Sequence, residues 1–183
     1  MVLAPSTRRV FLIGFMGAGK TSVGRVLAAR LGWSFCDLDD VIERRERKTV
    51  AGIFATAGEA GFRRAETHAL RELLQDPSRH HDLVVALGGG TFAQPGNRAL
   101  LEGAGAVTVL LEAPLEELRR RCGVDKTVRP LARDAERFAE IFKSRRATYQ
   151  LASHTVNTMG KTVEDISAEI EMILAVRVPE TKK

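Results

Sequence analysis

Residues 14–21 read Gly14-Phe15-Met16-Gly17-Ala18-Gly19-Lys20-Thr21, three glycines and a lysine–threonine pair at the spacing of a phosphate-binding loop. That chemistry needs those residue types. Glycine lets the backbone curl until consecutive N–H groups point into one anion-sized hollow. Lysine brings a mobile point charge to the outer phosphates, and the threonine hydroxyl is a ligand for Mg2+. The apolar run Val10-Phe11-Leu12-Ile13 precedes the loop and a helix-like stretch over 22–31 follows it. The helix N-terminus then adds its dipole to the same hollow. A merely flexible glycine turn requires neither flank. We therefore expect a nucleoside triphosphate to bind through Gly17, Ala18, Gly19, Lys20, Thr21 and Ser22, with Mg2+ on Thr21.

Further stretches carry groups suited to an acceptor molecule. Phe35-Cys36-Asp37-Leu38-Asp39-Asp40 closes a second apolar run, and ligands of open α/β sheets bind beyond the strand C-termini. In extended chain Asp37 and Asp39 point to one side. One carboxylate there suits Mg2+ or its waters, and the other suits hydrogen bonds from an acceptor hydroxyl. Asp40 is expected only to cap the next helix. Gly88-Gly89-Gly90 carries an entropic cost that close main-chain approach to a ligand would justify. Arg63 and Arg64 either clamp a carboxylate or pair with Glu59 and Glu66 along a helix, and spacing alone favours pairing. Arg145 and Arg146 pose the same choice. His68, His80, His81 and His154 show no metal or triad spacing, and Trp33 is expected to pack.

Strand-like runs fall at about 8–13, 33–37, 83–87, 106–111 and 154–158. Helical patterns separate them at 20–31, 39–47, 58–75, 95–103, 114–122, 134–152 and 162–175. This alternation predicts a doubly wound α/β sheet, its strands parallel because runs such as Val84-Val85-Ala86-Leu87 are apolar on both faces. Residues 39–66 and 119–134 stand apart as insertions. The second is basic and poorly periodic, which suggests a lid over phosphates. The length of 183 residues suits one domain, 1–183, with 44% hydrophobic and 28% charged residues placing it among globular chains. The net charge of +5 comes without a basic run beside stacking aromatics, so anionic small molecules rather than nucleic acid are the expected partners. No apolar stretch has membrane-spanning length, no leader pattern opens the chain, and Cys36 and Cys122 lack metal spacing. A cytoplasmic location is expected, with no membrane association.

Together these motifs resemble the shikimate kinases of aromatic amino-acid biosynthesis over roughly residues 8–160. The resemblance rests on the phosphate loop, Asp37-x-Asp39, Ile53-Phe54, Gly58-Glu59, Phe62-Arg63, Gly88-Gly89-Gly90, Thr127-Val128-Arg129-Pro130-Leu131, and Arg145 four residues before Tyr149. It implies a three-layer, five-stranded parallel sheet of the nucleoside-monophosphate-kinase type of P-loop fold. It further implies a monomer that phosphorylates the 3-hydroxyl of shikimate with ATP and Mg2+. In that family's terms Lys20 and Thr21 handle phosphates and metal, with Asp37 near the metal. Asp39 grips the shikimate hydroxyls, Arg63 and Arg145 clamp the carboxylate, Gly89 or Gly90 offers backbone contacts, and Arg129 reaches the phosphates from the lid. Lys20, Asp39 and Arg129 are then the catalytic set. Ala147 replaces a common proline, so Arg146 stays open as an alternative to Arg145. A longer lid leaves Arg120 open beside Arg121 for the adenine contact. Thr91 stands where the family often has a small apolar residue, which we expect to touch packing more than chemistry. A gluconate-type kinase would share the loop but not the whole set, and the Asn-Lys-x-Asp motif of a nucleotide switch is absent from the sequence.

Overall fold

The computed structural model describes residues 8–75, 82–124 and 134–175. Five strands, β1 (Arg9–Ile13), β2 (Ser34–Asp37), β3 (Leu83–Ala86), β4 (Val107–Glu112) and β5 (His154–Asn157), form one sheet in the order β2-β3-β1-β4-β5. Every pairing is parallel, and Phe11 of β1 sits between Val85 and Thr108. The apolar runs explain the order: β3 is buried throughout and β1 and β4 nearly so, which suits strands covered on both faces. Each side chain such as Phe11, Leu12 or Leu111, almost wholly buried, contributes about 1.5–3 kcal/mol. Strand ends agree with the sequence reading to within one residue.

Seven helices lie among the described residues: α1 (Lys20–Leu31), α2 (Leu38–Glu46), α3 (Val50–Gln75), α4 (Pro95–Gly103), α5 (Leu115–Val124), α6 (Ala135–Tyr149) and α7 (Val163–Ala175). Local chemistry sets their ends. Gly32 closes α1 at φ 66°, its N–H donating to Ala28 and Ala29 carbonyls, and Pro95 opens α4. Asp134 caps α6 by accepting from the Arg137 N–H. Helix α1 packs on α7, α2 on α3, and α5 on α6.

Two expectations change. The helix read from residue 58 begins at Val50, and Gly58 (φ 66°, ψ −176°) breaks it into two segments. A glycine at a break looks in sequence like a glycine at a start. Residues 119–122, read both as the end of a helix over 114–122 and as the start of the lid, belong to α5, which runs on to Val124; Arg120 and Arg121 pair back to Glu117 three and four residues earlier. Residues 125–133 of that lid lie outside the described residues, and so does Arg129.

Candidate active site

The phosphate loop joins β1 to α1 at the sheet's C-terminal edge, where the order reverses on either side of β1. Gly17 adopts φ 80°, and a Cβ there would lie 2.6 Å from the Leu118 carbonyl oxygen and 2.9 Å from Cys122 Sγ. Only glycine lets the loop lie so close to α5. Gly19 caps α1 at φ 88°. Lys20 Nζ donates to the carbonyls of Gly14 (2.9 Å) and Phe15 (3.1 Å), which folds the ammonium back across its own loop. The Ala18 N–H donates to the Phe15 carbonyl (3.2 Å), so in this conformation it closes a turn within the loop. Thr21 and Ser22 are exposed on the first turn of α1.

Asp37 ends β2 and does two things at once. Its Oδ1 accepts from the Asp39 N–H (3.1 Å), capping α2, and its Oδ2 accepts from the Thr21 hydroxyl (2.8 Å). The cap is therefore Asp37, not Asp40, which stands exposed in the first turn of α2. The same fact corrects the strand-alternation argument. The chain is already helical at Leu38, so the cap, and not period two, brings Asp37 and Asp39 together. Asp39 Oδ1 is shielded from solvent and has no hydrogen-bond partner among the described residues. Burial, with Asp37 and Glu66 close by, raises its carboxyl to about 6; Lys20 opposes the shift.

The glycine turn after β3 is where Asp39, Arg63 and Glu66 meet. A Cβ on Gly88 would lie 2.9 Å from Asp39 Oδ1, 3.1 Å from Glu66 Oε1 and 3.1 Å from Thr91 Oγ1. One on Gly90 would lie 2.6 Å from Arg63 Cζ, so the turn leaves Arg63 room that any side chain would take. Arg63 does pair with helix neighbours, as spacing suggested, but unequally. Nη1 donates to Glu66 at 2.6 Å and Nη2 to Glu59 at 3.1 Å. Glu66 is 0% exposed. Its Oε2 also accepts from Gln94 Nε2 (3.0 Å), and its Oε1 accepts from the Thr91 hydroxyl (2.7 Å). Thr91, expected to touch packing more than chemistry, thus does more than fill space: its hydroxyl donates to a buried carboxylate. Phe54 and Phe62 pack 4.7 Å apart across the Gly58 break, an apolar wall next to Arg63.

Helix α6 brings a second arginine to the same turn. Phe15 of the phosphate loop meets Phe138 and Phe142 edge to face at 4.9 and 5.4 Å, contacts worth about 0.5–1.5 kcal/mol each beyond burial. With α6 held there, Arg145 Nη1 comes within 3.4 Å of where a Gly89 Cβ would be, and the Gly14 carbonyl within 3.9 Å. The Tyr149 hydroxyl donates to the Gly89 carbonyl. Burial pushes the Tyr149 phenol up, while its hydrogen-bonded neighbour Arg145 and the charge of Arg63 pull the other way. Arg146 is exposed and turns to a small hollow beside Glu112 and Gln150. The structure thus brings Arg145, not Arg146, to the glycine turn.

On the other side of β1, Arg121 donates to the Thr158 hydroxyl and carbonyl, both at 3.0 Å, and so borders the loop after β5. Among the described residues Arg120 pairs only with Glu117, at the surface. Sequence reading missed Glu66 and Tyr149 as parts of this assembly. Glu66 had a signal: it shares helical spacing with Phe62, Ala65, Ala69, Leu70 and Leu73, the buried face of α3. A charge on an apolar stripe calls for a partner.

The family model described as shikimate kinase matches residues 16–175. The shikimate kinase of Geobacter metallireducens is 46% identical over 173 residues, 92% of this chain and 93% of that protein. Among solved structures, shikimate kinase from Acinetobacter baumannii in complex with shikimate superposes with a TM-score of 0.83 at 37% identity, covering 95% of this chain and 97% of the other. The shikimate kinase of Bacteroides thetaiotaomicron gives 0.82 at 30% identity, covering 92% and 98%.

Proposed function

Because this chain belongs to the shikimate kinase family, we propose that it transfers the terminal phosphoryl group of ATP to the 3-hydroxyl of shikimate. One observation carries the assignment of roles: a carboxylate and two guanidinium groups converge on the Gly88–Gly89–Gly90 turn, and that turn abuts the phosphate loop at Gly14. A hydroxylated carboxylic acid needs that set of contacts, next to a phosphoryl donor.

Arg63 and Arg145 hold the substrate carboxylate, and the turn at Gly89 and Gly90 offers backbone N–H groups. Asp39 Oδ1, shielded and without a hydrogen-bond partner among the described residues, accepts the hydrogen bond of the attacking hydroxyl. The hydroxyl oxygen forms its bond to the γ-phosphorus as the bond to the ADP oxygen breaks, and the hydroxyl proton passes to Asp39. A carboxyl raised to about 6 is ionised at neutral pH yet more basic than an ordinary aspartate, which suits that transfer. Gly17, Ala18, Gly19, Lys20, Thr21 and Ser22 receive the phosphates. Lys20 balances charge on the transferring group, and Arg129 of the lid joins it when the lid closes. Such transfer depends mainly on positioning and charge stabilisation. Arg121 serves the adenine side.

The Thr21 hydroxyl and Asp37 carboxylate are hard oxygen donors 2.8 Å apart, a pair that fits Mg2+. They would hold it directly or through water. Bound there, the ion would neutralise charge on the β- and γ-phosphates. We read the chain as one kinase domain, with 39–66 gripping the acceptor and the lid following α5, acting as a monomer in the cytoplasm on a small molecule. Cys36 and Cys122 are buried and form no disulfide, which suits a reducing compartment. No helix of the described residues is long and apolar enough to cross a membrane.

A coupled assay of ADP release with shikimate, gluconate and related hydroxy-acids tests the reading. Turnover is expected with shikimate and is abolished by EDTA. Turnover on another acid, with none on shikimate, refutes it.

A further inference from the structure

The buried carboxylate of Glu66 is the stronger of two tethers on Arg63, and the Thr91 hydroxyl donates to that carboxylate from the turn after β3. We propose that Thr91 is a positioning residue for substrate binding, its hydroxyl fixing Glu66 so that Glu66 in turn aims Arg63 into the acceptor chamber. The proposal rests on the reading above that Arg63 grips the substrate carboxylate.

The geometry runs in one direction. The Thr91 main chain is pinned at both ends, its N–H donating to the Gly88 carbonyl (3.1 Å) and its own carbonyl accepting from Asn97 Nδ2 (3.0 Å). Thr91 and Asn97 are both fully buried. The hydroxyl therefore has a fixed origin, and it donates to Glu66 Oε1 at 2.7 Å. An ionised carboxylate only accepts, so this donor decides which oxygen faces which way. With Oε1 engaged, Oε2 is left to Arg63 Nη1 and Gln94 Nε2. Without the hydroxyl, Oε1 is buried beside Gly88 with no donor, and the carboxylate turns to share the two donors that remain. Arg63 then loses its short contact, and its other tether, Glu59, is 70% exposed and draws the guanidinium toward solvent. A small apolar residue at position 91 fills space but cannot hold Glu66.

Thr91→Val keeps the shape and removes the hydroxyl; Thr91→Ser keeps the hydroxyl. We expect Thr91→Val to raise the KM for shikimate about ten-fold, the loss of a charge-assisted hydrogen bond passed on through Arg63, with kcat within about three-fold of wild type and the KM for ATP unchanged. Thr91→Ser should restore the shikimate KM to within about two-fold. Thr91→Ala provides the same test if the valine variant fails to fold. Arg63→Ala is measured in parallel, alone and combined with Thr91→Val, and the double variant should be no worse than Arg63→Ala by more than about two-fold. If Arg63→Ala raises the shikimate KM and the hydroxyl-free variants do not, the proposal is overturned. Parallel losses for shikimate and ATP that serine fails to rescue also overturn it, since they mark a fold defect. An unchanged KM in Arg63→Ala instead overturns the reading of Arg63 itself.

Discussion

Replacing Asp39 by asparagine should make the protein more stable and a far poorer catalyst, and the size of the first effect follows from burial. The folded state raises the Asp39 carboxyl from 3.8 to about 6, chiefly through burial, then through Asp37 and Glu66. A shift of about two units corresponds to roughly 3 kcal/mol. Its sign is fixed by proton binding. The folded chain holds this proton to higher pH than the unfolded chain, so its contribution is fully present below about pH 4 and is lost as pH rises through about 6. At pH 8 the native state carries an ionised carboxylate in a place that disfavours it. Asparagine cannot ionise, so Asp39→Asn should gain about 1–3 kcal/mol at pH 8 and roughly half that at pH 5. Urea unfolding of both proteins at the two pH values measures the gap. On the same preparations kcat for shikimate should fall by on the order of 100-fold, the usual cost of losing a positioned proton acceptor. The wild-type kcat/KM should decline as pH drops below about 6. A gap that fails to shrink from pH 8 to pH 5, or a variant less stable at pH 8, refutes the buried-charge argument. An undiminished kcat refutes the catalytic one.

Arg145→Ala should raise the KM for shikimate by at least about ten-fold while Arg146→Ala leaves it within about two-fold, because only the first removes a charge-assisted contact from the chamber; steady-state kinetics on the two variants separates them. Gly90→Ala puts a methyl group where Arg63 lies, so it should raise the KM for shikimate about ten-fold or more with the KM for ATP unchanged. Equal damage to both constants would instead place the effect in the β3 turn as a whole.

The sheet could be read from sequence because its strands are apolar on both faces and bounded by glycines, prolines and charges, signals that act within five or six residues. The phosphate loop could be read for the same reason: Gly17, Gly19, Lys20 and Thr21 lie within one short stretch of sequence. What could not be read is what the fold alone brings together. Glu66 and Thr91 are 25 residues apart and meet only because α3 lies under the turn after β3. Arg145 and Gly89 are more remote still in sequence, and their meeting depends on Phe15 seating against Phe138 and Phe142. The choice between Arg145 and Arg146 is a matter of 100° around a helix, which neighbouring sequence cannot decide when both residues are arginine. Asp37 shows a different failure. Its type and place were recognised, but a cap on α2 and a partner for Thr21 are two uses of one carboxylate, and extended-strand geometry stopped applying one residue later.

The strand order has a consequence for how such a chain can diversify. Asp39, Arg63, Glu66, Thr91 and the glycine turn all come from the stretch between β2 and α4, on one flank of β1, whereas Arg121 and Thr158 belong to the β4–β5 flank. With the roles proposed above, acceptor choice and nucleotide handling are nearly separate inheritances joined at the phosphate loop, and drift in one half need not disturb the other. The exception is Arg145, which reaches the acceptor chamber from α6, beyond β4. A lineage that changed its acceptor by remodelling residues 38–94 would still carry that guanidinium. The scaffold therefore predisposes its descendants toward acceptors that keep a negative charge.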